Sequence, residues 1–406
     1  MEFTELEVFS FLISAALVFL MVPGLALFYG GLVRHKNVIG TMMHSVTAIG
    51  VVSVLWVLWG YSLAFSTSVG GLGFVGDLGK FGMIGVGLDE QAFMIFQGMF
   101  AIITVALIAG GFAERFKFQS YIIFAALWVT IVYAPLCHWV WGGGWLGNLG
   151  SILGMSEAGF ALDFAGGTVV HIASGTAALA AALIVGRRSG FGTATLAPDN
   201  VPLVLLGAGL LWFGWFGFNA GSSFDLSTES AANAFVVTNV AAATAMSSWS
   251  IISWFITKRP SASGAAAGAV AGLVAITPAA GFVGVMPAII IGAGAGGACF
   301  IAVELIHKFR IDDSLDVFGI HGIGGMWGAL ATGIFVGIGF GALEADVTRI
   351  EQIFYQIIGI GAAFAWSFVV SAIILLALKY TIGLRVSSQE EEIGIDLTQH
   401  GERMNI

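Results

Sequence analysis

Two histidines, His171 and His321, stand 150 residues apart in otherwise apolar stretches, and each closes the same short pattern. The first copy runs Asp163–Phe164–Ala165–Gly166–Gly167–Thr168–Val169–Val170–His171–Ile172–Ala173–Ser174–Gly175. The second runs Asp313–Ser314–Leu315–Asp316–Val317–Phe318–Gly319–Ile320–His321–Gly322–Ile323–Gly324–Gly325. Both carry Asp, then His eight residues later, then Gly four after that. A neutral imidazole donates a hydrogen bond from one nitrogen and accepts at the other, and it titrates near neutrality, so such a pair suits proton handling or the guidance of a small polar solute. One histidine on an apolar helix is ordinarily a core residue bonded to a neighbour. Two at matching positions of a repeat point to a pathway, because polar groups in an apolar surround are costly. No further Cys, Glu or His is spaced to complete a coordination shell, so no metal site is expected. Asp163 precedes its helix as an N-cap would, and its charge would also act on a nearby mouth. Asp313 holds the matching place in the second copy.

The elements that position these residues follow from composition. Of 406 residues, 58% are apolar and 10% charged, with 58 glycines, and mean hydropathy is +0.96. An ordinary soluble domain is about a quarter charged. This composition excludes a soluble enzyme, a disordered regulator and a nucleic-acid binder, and it fits a bundle of closely packed membrane helices. Eleven apolar runs of spanning length are expected: 8–33, 39–66, 92–113, 118–140, 162–186, 201–222, 231–257, 264–282, 285–307, 315–340 and 352–380. The first begins among Glu2, Glu5 and Glu7 rather than basic residues and reads as a retained helix. Residues 1–380 form one membrane domain, and 381–406 a cytoplasmic tail in which Glu390–Glu391–Glu392 reads as a solvated face. Cys137 and Cys299 read as buried small hydrophobes.

Basic residues set the orientation. Loops after odd-numbered spans, together with the C-terminal end, collect 13 of the 15 Lys and Arg, leaving Lys80 and Arg349 on the other side. The N-terminus is therefore expected outside and the C-terminus in the cytoplasm. His171 then lies in the fifth span, running inward, and His321 in the tenth, running outward. Five spans per half is an odd number, so the halves form an inverted 5+5 repeat with an eleventh helix added. Each His is about 12 Å from its Asp, so both reach the middle of a ~30 Å core.

Aromatic residues gather at one end of this path. Phe96 and Phe100 share a face of the third span, with Gln97 beside them. His138 to Gly144 contains Trp141, and Trp212 to Ser222 contains Trp215 and Phe218. Glycine around these rings favours a lined vestibule over a simple interfacial belt, and π faces with one hydroxyl suit a small cation.

Pro23 to Gly31, Asp163 to His171, Gly214 to Ser222, Asp316 to Gly322, and the tail pieces Gly383–Leu384–Arg385–Val386, Gly394–Ile395–Asp396 and His400–Gly401–Glu402 occur in the order found in one family. Along nearly its whole length the chain resembles the Amt/Rh ammonium transporters, in particular bacterial and archaeal Amt proteins. That resemblance implies a homotrimer in the cell (inner) membrane, with a pore through each subunit and no cofactor, acting on ammonium, ammonia and methylammonium and not as an enzyme. By the same resemblance Phe96, Trp141 and Ser222 form the outer recruitment site, with Gln97 adjacent. Phe100 and Phe218 are the gate, His171, His321 and Trp215 line the pore, and Asp163 supports the outer site. The expected mechanism is cation recruitment, deprotonation near the gate and conduction of ammonia. The proton follows either the His pair or another route. A PII-type signal protein is the implied cytoplasmic partner, and an ammonium sensor of the same fold is the alternative reading. Two departures stand out: a long stretch from Gly142 to Leu162, and Glu402–Arg403–Met404 where an aromatic usually follows the Glu.

Overall fold

A computed structural model describes residues 2–193 and 196–404. Among them there is no strand, and the chain folds into eleven helical passes followed by two short tail helices. The first five passes are α1 (Glu5–Leu32), α2 (Val38–Leu55, continued to Phe65), α3 (Leu88–Ile108), α4 (Phe118–Trp128, continued to Val140) and α5 (Gly167–Ile172 and Ala173–Val185). The second five are α6 (Val201–Ala220), α7 (Glu229–Thr257), α8 (Ala262–Ile276), α9 (Val285–Lys308) and α10 (Phe318–Gly322 and Ile323–Phe335). The long α11 (Arg349–Thr381) follows, and α12 (Ser388–Ile393) and α13 (Ile395–His400) form the tail. Nine of the passes are long and apolar enough to cross a membrane by that criterion alone; α8 and α10 are shorter. The eighth and tenth runs end before their expected limits of 282 and 340. Thr277–Pro278 stops α8, and Gly337, Gly339 and Gly341, all at positive φ, turn the chain after α10.

Polar residues fix the helix ends. Thr4 with Glu7, Thr348 with Glu351, and Ser387 with Glu390 each form a capping box, starting α1, α11 and α12. Large apolar residues such as Leu12, Phe19, Ile251, Phe255 and Ile373 remain exposed around the bundle, as a lipid-facing surface requires. The two halves meet through repeat mates. Along α1 and α6 the backbones nearly touch, since a Cβ on Gly207 would fall 2.4 Å from the Phe28 nitrogen. The second such pair, α5 and α10, carries the histidines.

On the face that bears the tail, buried charges knit the loops together. Glu114 accepts from the Arg34 backbone N–H at 2.7 Å and from Arg188 at 3.2 Å. Burial pushes its carboxyl up, but Arg188 and Arg34 outweigh that and hold it below the usual range. Arg115, fully enclosed, donates to the carbonyls of Gly186 and Asp312, both at 2.7 Å. The tail joins this lattice: Arg385 pairs with Glu391 at 2.6 Å, and Lys36 reaches the carbonyl of Glu391 at 2.9 Å. The expected solvated face of Glu390–Glu391–Glu392 is thus overturned at Glu391, which is only 1% exposed. On the opposite face, the long Gly142–Leu162 stretch is pinned to the start of α11. There Ser156 meets the Tyr355 hydroxyl at 3.0 Å, and the Leu162 N–H donates to Gln356 at 2.6 Å.

Candidate functional site

His171 and His321 face each other across the repeat axis, Nδ1 to Nδ1 at 3.2 Å. The local backbone explains how they meet. Each lies in a wide, π-type helical turn, Gly167–Ile172 in α5 and Phe318–Gly322 in α10, the kind of helical defect that recurs at functional sites. Glycine lets the two helices cross in contact. A Cβ on Gly175 would sit 2.2 Å from the Gly322 nitrogen, and one on Gly325 would lie 3.0 Å from Ile172. These two contacts are the same contact seen from each half of the repeat.

Both matched aspartates accept from the start of their helices, Asp163 with both oxygens and Asp313 with one, its Oδ1 having no partner among the described residues. Asp163 accepts backbone N–H bonds from Gly166, Gly167, Thr168 and Val169 at 2.7–3.1 Å. One carboxylate thereby satisfies the free donors at the start of α5. Asp313 accepts from the Phe318 N–H at 2.7 Å, the position 150 residues on from Thr168. It is pushed up to about 7, first by burial and then by the neighbouring charge of Asp316.

Above the histidines, the Phe100 and Phe218 rings stack at 4.1 Å between centroids. Phe96 packs edge-on against Phe100 at 5.0 Å and stacks on Phe11 at 5.8 Å. Trp141 lies 6.1 Å from Phe100 and donates its indole N–H to the Asp163 carbonyl at 2.8 Å. Asp163 therefore holds the helix start with its carboxylate and Trp141 with its carbonyl. Ser222 donates to the Phe218 carbonyl at 2.9 Å. Trp141 and Ser222 keep some exposure, whereas Phe96 has none. Gln97 is buried, and its side-chain oxygen has no partner.

Below the stack, Met21, Leu25, Phe28, Ile103, Leu107, Leu211 and Val270 join the two histidines, Trp215 and Phe218 around a cavity of about 10 Å³. That is close to the least space that holds one water molecule. Trp215 stacks on His171 at 5.3 Å, and its N–H is occupied by the Thr277 hydroxyl at 2.8 Å, so it adds wall without adding a free donor. Sequence reasoning did not assign the aliphatic wall, although Met21, Leu25 and Phe28 recur at helical spacing on α1. It also missed Thr277, whose role depends on a contact between distant helices. Among the described residues no group of three or more His, Cys, Asp or Glu is placed to hold a metal, and Cys137 and Cys299 are buried and unpaired.

Residues 9–405 match the family model described as the Ammonium Transporter Family. The chain belongs to the ammonium transporter family. It is 47% identical to an ammonium transporter of Bacillus subtilis over 402 residues, covering 96% of each chain. It is 46% identical to ammonium transporter Amt1 of Archaeoglobus fulgidus, covering 96% of this chain and 97% of that one. Its fold superposes on a crystal structure of Saccharomyces cerevisiae Mep2 with a TM-score of 0.87 at 37% identity, over 96% and 89% of the two chains. A protein described as a sensor Amt superposes with a TM-score of 0.89 at 32% identity, over 97% and 98%. This ammonium transporter family member is a multi-pass membrane protein of a family of transport proteins.

Proposed function

We propose that the protein carries ammonium nitrogen across the membrane by recruiting the cation at Trp141 and Ser222, removing its proton at the Phe100–Phe218 stack, and conducting ammonia past His171 and His321. The observation that carries this reading is the space around the histidine pair: about 10 Å³, walled by aliphatic and aromatic side chains. A hydrated cation does not fit there, and a bare one would lose its solvation for no fixed countercharge. Ammonia is neutral and needs only one donor and one acceptor. The histidine contact supplies both: with the Nδ1 atoms 3.2 Å apart, one must donate and the other accept. One imidazole therefore keeps an Nε2 acceptor and the other an Nε2–H donor.

The same reading makes Asp163 a support for the mouth and Asp313 its counterpart at the far end. It places the protein as a homotrimer in the cell membrane, N-terminus outside and tail in the cytoplasm. Methylammonium is a second substrate, and a PII-type signal protein is the partner on the tail face. The strong bias of Lys and Arg to one side supports the orientation, and family membership supports the rest. Flux into proteoliposomes tests the pore: His321→Ala should lower ammonium flux at least tenfold, and undiminished, still selective flux would remove the pair from the mechanism. A second reading, ammonium sensing, is favoured by the superposition on a sensor Amt. Ammonium binding without any flux in the reconstituted wild type would select it.

A further inference from the structure

Gln356, buried in the second turn of α11, uses its whole side-chain amide. Its oxygen accepts from the Leu162 N–H at 2.6 Å and from the Gln352 amide at 3.2 Å. Its nitrogen donates to the carbonyls of Leu162 and Ala329, both at 2.9 Å. All four hydrogen-bonding positions of the amide are taken, and a buried polar network so satisfied specifies one arrangement of its neighbours. Leu162 is the residue before Asp163, and Ala329 lies on α10 eight residues beyond His321. One side chain thus ties the lead-in of α5 to the half of α10 that follows its histidine. The helices come close at this point: a Cβ on Gly333 would lie 2.9 Å from the Gln356 Cγ.

The tail end of the repeat carries a matching contact. Asp312 stands 150 residues on from Leu162 and directly before Asp313. Its carbonyl accepts from Arg115 at 2.7 Å, and the same guanidinium reaches the carbonyl of Gly186, just past the end of α5, also at 2.7 Å. Each contact joins the lead-in of one histidine helix to the far part of the other. Gln356 comes from the eleventh helix and Arg115 from the loop after α3, so the repeat itself does not dictate either residue.

We infer that Gln356 is a positioning residue for cation recruitment: it clamps the Asp163 main chain, whose carbonyl holds the Trp141 indole, against the helix of the second histidine. Without the clamp, Leu162 and Asp163 shift together with Trp141. The Gly175–Gly322 crossing still sets the histidine pair, so apparent affinity for ammonium falls before maximal flux does. The effect on recruitment rests on the pore reading above; the clamp does not.

Ammonium flux into proteoliposomes and hydrogen exchange of the purified full-length protein test this together. Gln356→Met keeps the length of the side chain and removes its four bonds. It should raise the half-saturating ammonium concentration about fivefold and change maximal flux by less than about twofold. In the same variant, exchange of the Gly166 to Val169 amides, which bond to Asp163, should quicken about tenfold. Gln356→Glu keeps an acceptor for the Leu162 N–H and loses the donors, so it should move both quantities the same way by less. Ser371→Ala, on the same helix, removes the partner of the Trp128 indole N–H on α4; it should lower stability and leave both half-saturation and exchange at 166–169 as in wild type. Unchanged exchange at those amides in Gln356→Met, or equal changes in Ser371→Ala, would overturn the clamp. Faster exchange with wild-type half-saturation would overturn its part in recruitment. Trp141→Leu should also raise half-saturation; if it does not, recruitment at Trp141 is what fails, and the exchange rates alone decide the clamp.

Discussion

The crossing of α5 and α10 can be tested at one glycine. In Gly175→Ala the new methyl would stand 2.2 Å from the Gly322 nitrogen and 2.6 Å from its Cα, both backbone atoms that cannot rotate away. Restoring an ordinary contact of 3.4 Å requires a retreat of about 1.2 Å, within four residues of His171. The histidine contact starts at 3.2 Å, so that retreat takes it past hydrogen-bonding distance. Overpacking of this kind costs about 1–3 kcal/mol, offset by about 1 kcal/mol from the better helix propensity of alanine. A net loss of up to about 2 kcal/mol lowers the thermal midpoint by up to a few degrees. Loss of one hydrogen bond of about 1 kcal/mol in the conduction path lowers flux about fivefold. Gly325→Ala, with its nearest contact at 2.9 Å, should do less, and Gly361→Ala, with nothing within 4 Å, should do neither. Thermal unfolding and ammonium flux of the three variants give the ranking. Wild-type flux and midpoint in Gly175→Ala would refute the close crossing as the device that sets the histidine pair.

Asp163→Asn replaces one acceptor oxygen by a donor facing N–H groups, leaving about two of the four cap bonds unmade; a stability loss of about 1–3 kcal/mol and a fall in flux are expected, checked by thermal unfolding and uptake. Glu391→Ala leaves Arg385 and the Ser189 N–H without their partner, a loss of about 1.5–3 kcal/mol for a charged hydrogen bond, which limited proteolysis should register as faster cleavage of the tail. Burial raises the carboxyl of Asp396, against the opposing N–H groups of Gly40 and Ile39, so docking takes up a proton at that residue and weakens as pH rises from the ordinary carboxylate range through the raised value. His400 is lowered by burial and acts in the opposite sense, losing its docked advantage as pH falls. Asp396→Asn keeps an acceptor for Gly40 and removes only the first effect, so its tail should be cleaved no faster than wild type at pH 7, and the difference between the two should vanish toward pH 4.

Much of this was legible because the repeat is written in residue types. Asp, His and Gly at an offset of 150 predicted matched elements, and the structure returns matched caps, matched wide turns and matched glycine contacts. What escaped depends on partners remote in sequence. A single wide turn shifts the helical register too little to mark the apolar pattern, so Gly167–Ile172 reads as ordinary helix. Glu391 reads as solvated because the burial of a tail glutamate is decided by Arg385 and by the Ser189 loop, not by its neighbours Glu390 and Glu392. Phe96 shares a face with Phe100, yet Phe11 on α1 encloses it, and no local spacing reports that contact. Arg115 reads as one more basic loop residue; four carbonyls and the Ser314 hydroxyl converging on its guanidinium let it be buried whole.

In the proposed mechanism a charged species stops at the phenylalanine stack and a neutral one goes on. Pulsing proteoliposomes with ammonium and with potassium, a cation of similar size that has no proton to release, tests it most directly. Nitrogen uptake should be fast in the ammonium pulse, with or without an accompanying proton current, and the potassium pulse should give no current above that of empty liposomes. A potassium current above that of empty liposomes would contradict that mechanism.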